Sequence, residues 1–365
     1  MDQGDLDRLL VLLSQLEGSD LLIKAGAPPR MRVQGVLHTL TTEPPFQPED
    51  TATMAEAIMS PHMATVFERR HEVDFAYSVH NVGRFRANAY LQRGTVAMVF
   101  RRVRPVPGTA DELGLPPAVF ALADEPRGLV LVTGPTGSGK TTTLASMIDH
   151  INKSRACHIV TIEDPIEYLH RDRMSAVDQR EVGFDSESFE SAMRVVLRQD
   201  PDVILVGEMR DVETAEAALK AAETGHLVLT TLHTINVTET INRVVDFFAP
   251  HHQGQVRISL AGALRGTIAQ RLVRRSDGSG RVPALEIMVT NGRIRQCIAE
   301  AEQTSDIEGI VAEGEYYGMQ TFDQSLAQLM QEGVISLQEA LAASSNPHDL
   351  RVMLERRGLV RTGRG

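Results

Sequence analysis

Residues 129–144 read LVLVTGPTGSGKTTTL, and this stretch decides the fold. Its opening run, LVLV, has the length and β-branched content of a buried parallel strand. The residues after Thr133 fit the phosphate-binding pattern G-x-x-x-x-G-K-[ST]. They are Gly134, Pro135, Thr136, Gly137, Ser138, Gly139, Lys140 and Thr141.

The chemistry of this loop explains the spacing. Glycines let the backbone curl around a polyphosphate, so that N–H groups and the start of the next helix point at it. Lys140 then reaches the β- and γ-phosphates, and the Thr141 hydroxyl holds Mg²⁺. A glycine-rich turn that matches by chance is the alternative. The strand before the loop and the helical residues from Thr142 onward favour a site for ATP with Mg²⁺.

Composition bounds the class of protein. The chain has 365 residues, which favours two domains, and its 42% hydrophobic and 23% charged residues are typical of a soluble globular protein. Cys157 and Cys297 lie far apart in the sequence, so we expect neither a disulfide scaffold nor a zinc site. Such sparse cysteine usage is typical of a protein in a reducing compartment. The formal charge of −11 argues against a large nucleic-acid surface.

The N-terminal residues and the hydropathy indicate the cellular compartment of the protein. The acidic start, MDQGD, is unlike a signal peptide. No apolar run approaches the roughly 18–20 residues that cross a bilayer. We therefore expect a cytoplasmic protein.

The first 104 residues predict a small α+β domain. Leucines at helical spacing predict a helix over 5–17, and residues 49–70 are helical in pattern. Short strands are expected at 21–23, 31–33 and 36–37, and longer ones at 73–78, 84–91 and 97–103. In 84–91, Phe85 and Ala87 share one face and Arg84 and Arg86 the other. This alternation is typical of an antiparallel sheet.

A proline- and glycine-rich linker, residues 105–118, leads to an α/β domain over 119–365. Strand-like runs at 129–133, 157–163, 203–206 and 227–231 are separated by helical patterns at 139–153, 187–198 and 211–223. Such alternation predicts a parallel sheet covered on both faces. An apolar residue every fourth position from Val256 to Leu272 predicts one helix, and the rest to about residue 355 is predicted helical. Residues 361–365 are expected to be a loose tail.

Two carboxylates follow predicted strands. Glu163 ends the run 157–163, at the edge where an open α/β sheet binds ligands, although a capping turn before Pro165 would also explain it. Glu208 follows VILVG, which resembles a Walker B strand with Gly207 in place of the usual Asp. Glu208 is therefore the carboxylate best placed to act on the attacking water and, through water, on Mg²⁺. A solvated acid at a strand end is the alternative.

Histidines stand at both ends of another predicted strand, His226 before it and His233 after it. A lone histidine is more often a structural hydrogen-bonder than a catalyst. Here either one is a candidate to sense the γ-phosphate or to link Glu208 to a neighbouring subunit.

Taken together, these stretches resemble the hexameric ATPases of the secretion superfamily, and within them the type IV pilus retraction ATPases of the PilT type. GPTGSGKTTTL resembles that family's Walker A, TIEDPIEY its Asp box, VILVGEMRD its atypical Walker B and GHLVLTTLHT its His box. The N-terminal stretches GSDLLIKAGAPPRMRVQG and GRFRANAYLQRGTVAMVFRRV are also similar. The resemblance covers about residues 5–355.

The resemblance implies a PAS-like N-terminal domain followed by a RecA-like ATPase domain, assembled as a homo-hexamer. It implies that Glu208 is the catalytic acid and that Glu163 helps the water or the metal. It also implies that Arg86, in RFRAN, and Arg101, in VFRRV, reach the nucleotide. Implied partners are an inner-membrane pilus platform protein and a PilU-like paralogue, with the motor peripheral at the cytoplasmic membrane face.

Arg101 also has an argument from pattern. Ala97, Val99 and Val103 share its face by period two, so its charge interrupts an apolar row. We therefore expect a buried or half-buried guanidinium, which needs an anion. A neighbouring subunit's γ-phosphate would serve.

The C-terminal part carries two further similarities. Retraction motors have a motif near AIRNLIRE, and residues 293–300, RIRQCIAE, match it at Ile294, Arg295, Ile298 and Glu300. Residues 318–326, GMQTFDQSL, resemble a tail shared by the retraction motor and its PilU-like paralogue.

The function predicted is that of an ATP-hydrolysing ring motor that drives pilus retraction. A pilus assembly or type II secretion ATPase is the nearest rival, but those usually carry a four-cysteine zinc loop. A RecA-like motor on nucleic acid is disfavoured by the acidic charge. A silent binding subunit is disfavoured by the presence of Lys140, Glu163 and Glu208.

Overall fold

The computed structural model describes residues 2–103 and 107–360. These residues form two compact units, one of residues 2–103 with 167–169 and one of residues 107–166 with 170–360. Residues 105 and 106 of the predicted linker and the predicted tail at 361–365 lie outside the described residues. The rest of the predicted linker contains the short helix Ala110–Leu113. In the described parts of the chain, no helix is long and apolar enough to span a membrane.

The N-terminal unit is an antiparallel sheet with three helices. Its strands lie in the order β3-β2-β1-β6-β5-β4. The elements are α1 (Gln3–Gln15), β1 (Asp20–Lys24), β2 (Arg30–Val33), β3 (Val36–Thr39), α2 (Pro48–Ile58), α3 (Pro61–Arg70), β4 (Glu72–Val79), β5 (Gly83–Gln92) and β6 (Thr95–Arg102).

One face of this sheet makes the core of the unit. The leucines of α1 pack with Met54 of α2 and with Phe85 and Phe100 of the sheet. The small antiparallel α+β unit is therefore confirmed. The predicted helix over 49–70 is two helices, because Ser60 caps a new helix that begins at Pro61.

The C-terminal unit is built on a mixed sheet in the order β13-β12-β7-β11-β10-β8-β9. The strands from β12 to β9 run parallel, and only β13 pairs antiparallel. They are β7 (Gly128–Thr133), β8 (His158–Glu163), β9 (Ala176–Glu181), β10 (Val203–Val206), β11 (Leu227–Leu232), β12 (Leu264–Arg274) and β13 (Arg281–Val289).

Helices cover both faces of this sheet. Leu129 and Leu131 of β7 belong to one apolar cluster, while Val130 and Val132 belong to another, so the opening strand is buried on both sides. The helices are α4 (Ala110–Leu113), α5 (Pro117–Ala123), α6 (Lys140–Ser154), α7 (Phe189–Val196), α8 (Val212–Glu223), α9 (Val237–Asp246), α10 (Pro250–Ala263), α11 (Gly292–Ala299), α12 (Ile307–Ala312), α13 (Phe322–Gln331), α14 (Leu337–Ala343) and α15 (Pro347–Arg356).

Two sequence predictions for the C-terminal unit were wrong. The predicted helix from Val256 to Leu272 ends at Ala263, and β12 begins at Leu264. A four-residue spacing is also a multiple of the strand period of two, so it does not distinguish the two structures. The region after it was predicted helical throughout, but residues 281–289 form β13.

Candidate nucleotide site

The parallel strands bring the predicted site residues to one edge of the sheet. The loop 134–139 follows β7, His233 follows β11, Glu208 lies just after β10, and Glu163 ends β8. These strands are consecutive neighbours in the order β7-β11-β10-β8. Because parallel strands end at the same edge, the loop and the three side chains line one crevice.

The phosphate-type loop requires glycines at its base, because Gln270 packs closely against the loop backbone there. Gly134 and Gly139 have φ of +142° and +93°. A Cβ on Gly134 would lie 2.4 Å from the Gln270 carbonyl oxygen, and one on Gly139 would lie 2.7 Å from Gln270 Nε2. Gly137, with φ of +78°, faces open space. The loop is therefore held tightly at its base and open at its tip.

Helix α6 begins directly after this loop, and the residue before it has no side chain to cap it. Gly139 is the N-cap, so no side chain accepts from the first-turn N–H groups. Uncapped N–H groups at a helix start attract anions. Pro135, Thr136 and Gly137 are exposed, whereas Ser138 is buried and its Oγ has no hydrogen-bond partner among the residues described.

Lys140 is the buried cation of the site. Its Nζ donates to the carbonyl oxygens of Gly134 at 2.8 Å and Pro135 at 3.2 Å. Burial lowers the pKa of the Lys140 ammonium, and the Glu208 carboxylate opposes that shift. A buried ammonium held only by neutral carbonyls, beside an orphaned hydroxyl and an uncapped helix, fits a phosphate chain.

Candidate residues for Mg²⁺ lie at the start of α6. Thr141 and Thr142 are half-buried in the first turn of α6. Hydroxyl and carboxylate oxygens are ligands that Mg²⁺ prefers. Thr141, with Glu208 acting through water, would hold this ion beside the phosphates.

Gln270 was not identified from the sequence, because it lay in the predicted helix. It is buried on β12, and its Nε2 donates to the Ser138 carbonyl oxygen at 2.6 Å. Its Oε1 accepts from the Thr143 hydroxyl of α6 at 2.7 Å. The amide thus joins the loop to the helix that follows it, from the strand beneath.

Glu208 has partners on both carboxylate oxygens. His233 Nε2 lies 3.0 Å from Oε1, and Arg210 Nη2 lies 2.8 Å from Oε2. The Glu208 side chain is 18% exposed. The Thr231 hydroxyl donates to the Gly207 carbonyl oxygen at 2.7 Å, which ties this turn to β11. Arg210 was not predicted from the sequence as a partner of Glu208, although it lies only two residues away.

Close packing explains the glycine that stands in place of a Walker B aspartate. A Cβ on Gly207 would lie 3.2 Å from the Ile162 carbonyl oxygen and 3.4 Å from Glu163 Cα. A carboxylate at this position would crowd the end of β8 beside Glu163. The acid of the turn is therefore displaced by one residue, to Glu208.

Glu163 is buried and held in the wall of the crevice. Its Oε1 accepts from the Thr161 hydroxyl at 2.7 Å and from Gln179 Nε2 at 3.1 Å. Gln179 in turn accepts from the His170 N–H at 2.8 Å. Gln179 lies on β9, a largely polar strand that was not predicted from the sequence.

The structure separates the two candidate histidines. His226 precedes β11, at the edge of the sheet opposite to the crevice. Its Nδ1 lies 3.0 Å from the Ala221 carbonyl oxygen, and its own carbonyl accepts from the Gly128 N–H. These contacts belong to the turn after α8. Only His233 is brought to Glu208.

The two candidate arginines lie in the N-terminal unit, on the sheet face opposite to the core. Arg86 and Arg101 are directly paired in the register of β5 and β6. The expectation of a buried Arg101 was wrong, because its side chain is 66% exposed and its Nε lies 2.8 Å from Asp20 Oδ1. Within its unit this face carries no helix, so Val99 in the same row is only half-buried.

The Arg86 side chain is exposed and makes no hydrogen bond or ion pair with the rest of the described chain. Two like charges directly opposite each other destabilise a sheet unless an anion lies between them. Asp20 already pairs with Arg101, so of these two groups it is the Arg86 guanidinium that an anion from outside the unit can reach unpaired.

The C-terminal motif residues divide between core and surface. Ile294 and Ile298 are buried in α11, whereas Arg295 is exposed and Arg293 Nη1 lies 3.2 Å from Glu313 Oε2.

Comparisons with known proteins identify the family of the chain. The family profile described as Type II/IV secretion system protein matches residues 110–342. The chain is 43% identical over 345 residues to the Pseudomonas aeruginosa type IV pilus retractation ATPase PilT, covering 94% of this chain and 99% of that protein. It is 41% identical over 351 residues to the type IV pilus ATPase PilU of the same organism, covering 96% and 91%.

A solved structure extends the similarity to the fold. The crystal structure of the pilus retraction motor PilT with bound ADP aligns with a TM-score of 0.86 and 46% identity, over 95% of this chain and 99% of that one. The ATPase fold with its preceding antiparallel unit is therefore confirmed, and this chain belongs to the type II/IV secretion system protein family.

Proposed function

We propose that this chain is the ATP-hydrolysing subunit of a hexameric motor that drives type IV pilus retraction. The observation that carries the proposal is the Glu208–His233 pair, which lies at the same sheet edge as the loop that holds Lys140. A carboxylate held by two cationic or donor groups beside a phosphate-binding loop is suited to phosphoryl transfer to water.

The loop and the helix start bind the phosphates. Backbone N–H groups of the loop and of α6 surround the β- and γ-phosphates, and Lys140 gives up its contacts to the loop carbonyls to reach them. Gln270 keeps the loop in register with α6. Thr141 would hold Mg²⁺, and the bound ion would neutralise charge on the phosphate oxygens.

Glu208 orients the attacking water and accepts its proton. His233 and Arg210 hold the carboxylate in place before the water arrives. Glu163, fixed by Thr161 and Gln179, lines the crevice on the far side of Glu208 and helps to position the water.

The arginines complete the site from a neighbouring chain. Arg86 and Arg101 present two exposed guanidinium groups side by side, which suits the charge that develops on a γ-phosphate. A chain that offers one surface and receives with another makes head-to-tail contacts, and these close into a ring when the rotation permits. A homo-hexamer is the ring we propose.

The similarity to PilT and PilU suggests where the ring works. We infer that it lies at the cytoplasmic face of the inner membrane, against a pilus platform protein, and that a PilU-like paralogue can join it. Nucleic acid is not proposed as a partner, because the chain carries a formal charge of −11.

Deletion of the gene tests the function in the cell. Retraction predicts that surface pili accumulate and that twitching is lost, whereas an assembly motor predicts that pili vanish. Lys140→Ala should fail to complement the deletion, since turnover is lost. Lys153→Ala, at the exposed end of the same helix, is the matched control and should complement.

A further inference from the structure

The outer face of the N-terminal sheet contains a small basic pocket. Its volume is about 290 Å³, and it is lined by Leu22, Lys24, Pro28, Arg30, Tyr90 and Gln92. The volume exceeds by roughly tenfold the ~30 Å³ share of one water molecule. All of the lining residues belong to the N-terminal unit.

The register of the sheet explains why a depression forms here. Tyr90 of β5 and Lys24 of β1 are both paired with Ala97 of β6, which lies between them. The methyl group of Ala97 leaves space between two long side chains. Arg30 borders the next row, where it is paired with Leu22.

The guanidinium of Arg30 lacks the anion that its neighbours have. Its Nε is buried and has no hydrogen-bond partner among the described residues. By contrast, Arg101 and Arg32 on the same face lie 2.8 Å and 3.6 Å from Asp20. A buried donor without a partner is costly, and among the described residues no carboxylate neutralises the Arg30 guanidinium beside this pocket.

The other polar groups of the pocket are also unused within the described chain. Lys24 forms no ion pair and the Tyr90 hydroxyl forms no hydrogen bond there, while Gln92 makes only a long contact of 3.4 Å to the Thr95 hydroxyl. Two cations and two neutral donors thus border one space. A carboxylate has two oxygens for them, whereas a phosphate group has three and carries nearly two charges at neutral pH.

We propose that this pocket binds the phosphate group of a small organic ligand. Arg30 and Lys24 meet the charge, Tyr90 and Gln92 donate to the remaining oxygen, and Leu22 and Pro28 contact the organic part. The site is distinct from the loop around Lys140, and it does not depend on the proposed motor function.

The test is equilibrium binding of inorganic phosphate and of phenyl phosphate to the full chain. Lys140→Ala is present throughout, to weaken binding at the nucleotide loop. We expect one saturable site per chain, with phenyl phosphate bound more tightly because of the apolar wall. Arg30→Gln should weaken both at least tenfold, and Lys24→Gln should weaken them to a lesser degree. Arg69→Gln, an exposed arginine of α3, is the control and should have no effect.

Three results would overturn the proposal. The first is the absence of saturable binding, and the second is equal binding by the parent and by the Arg30→Gln variant. The third is loss of self-association in the Arg30→Gln variant when the parent binds neither probe. The last result would assign the pocket to a carboxylate of a second copy. Circular dichroism of Arg30→Gln and Lys24→Gln separates loss of binding from loss of folding.

Discussion

Glu208 Oε1 and His233 Nε2 are 3.0 Å apart, and they follow the neighbouring parallel strands β10 and β11. The pair exists because both strands end at the same edge of the sheet. It lies between the strand that carries the phosphate-type loop and the strand that carries Glu163. The Glu208 carboxylate is thus fixed at the sheet edge where we propose that the loop holds the γ-phosphate.

Glu208→Gln should stop hydrolysis while ATP still binds. The amide keeps the shape of the carboxylate but cannot accept the proton of water. General bases contribute about 10²- to 10⁴-fold, so turnover should fall by that range. Single-turnover hydrolysis and nucleotide binding measure the two effects. Glu213→Gln, an exposed acid of α8, should behave like the parent. Turnover of the Glu208 variant within a factor of a few would move the catalytic role to Glu163.

The two histidines provide a matched pair of variants. His233→Gln removes a partner from the Glu208 carboxylate, and a hydrogen bond to a charged group contributes about 1.5–3 kcal/mol. Turnover should fall roughly 10- to 100-fold. His226→Gln, changed at the opposite sheet edge, should stay within about twofold. Steady-state ATPase rates decide the matter, and equal losses in both variants would contradict the assignment of His233.

Gln270→Ala should weaken nucleotide binding indirectly, through the loop that Gln270 supports. It leaves the Ser138 carbonyl and the Thr143 hydroxyl without their buried partner, and each such group costs about 1–3 kcal/mol. We expect ADP affinity to fall about 10-fold or more. Gln270→Glu keeps an acceptor for Thr143 but faces the Ser138 carbonyl with an oxygen, so it should be at least as impaired. Unchanged ADP affinity in a folded variant would show that the loop holds its shape alone.

Glu286 should make the stability of the C-terminal unit depend on pH. Its Oε2 accepts from the Val237 N–H at 2.8 Å, and burial raises the pKa of the carboxyl to about 7. Glu308 and Asp323 add to the shift, and Arg271 opposes it. The folded state therefore holds a proton that the unfolded chain, with a pKa of 4.5, releases.

Stability from this carboxyl is thus fully present below pH 4.5 and lost as the pH rises through about 7. The shift corresponds to a free energy of unfolding on the order of 3 kcal/mol. Glu286→Gln keeps the acceptor and removes the charge, so it should melt higher than the parent at pH 8 and nearly alike at pH 5. Glu302→Gln, an exposed acid, is the control. Equal pH dependence in the parent and in the Glu286 variant would contradict the account.

Some of this architecture was predictable because local patterns agreed with the tertiary fold. The strand before Gly134 is apolar throughout, since both its faces are buried, and its β-turn-helix context is specific. The strands β8, β10 and β11 are also buried, and Glu163, Glu208 and His233 lie at or just after their ends. The order of the strands in the sheet then places these ends next to one another.

Other features depend on tertiary contacts that a pattern does not contain. The spacing Leu264, Ile268 and Leu272 suits a helix and a strand alike, and pairing with β7 decides for the strand. Because this segment was predicted to be a helix, Gln270 was not recognised as a residue of the site. Arg101 was expected to be buried because its row is apolar, but the row lies on the face without helices. Period two identifies a face, and it does not say whether that face is covered.

The central claim is that each hydrolysis site is shared by two chains, and mixing two inactive variants tests it most directly. Arg101→Ala should bind ATP but turn over slowly, because an arginine that acts in trans is worth about 10³- to 10⁵-fold, or roughly 4–7 kcal/mol. Lys140→Ala lacks the loop cation but keeps Arg101. When the two variants co-assemble, some interfaces pair an intact loop with an intact arginine, so ATPase activity should rise well above that of either variant alone. If verified mixed assemblies never exceed the single variants, the site is not shared, and Arg101 serves only to pair with Asp20.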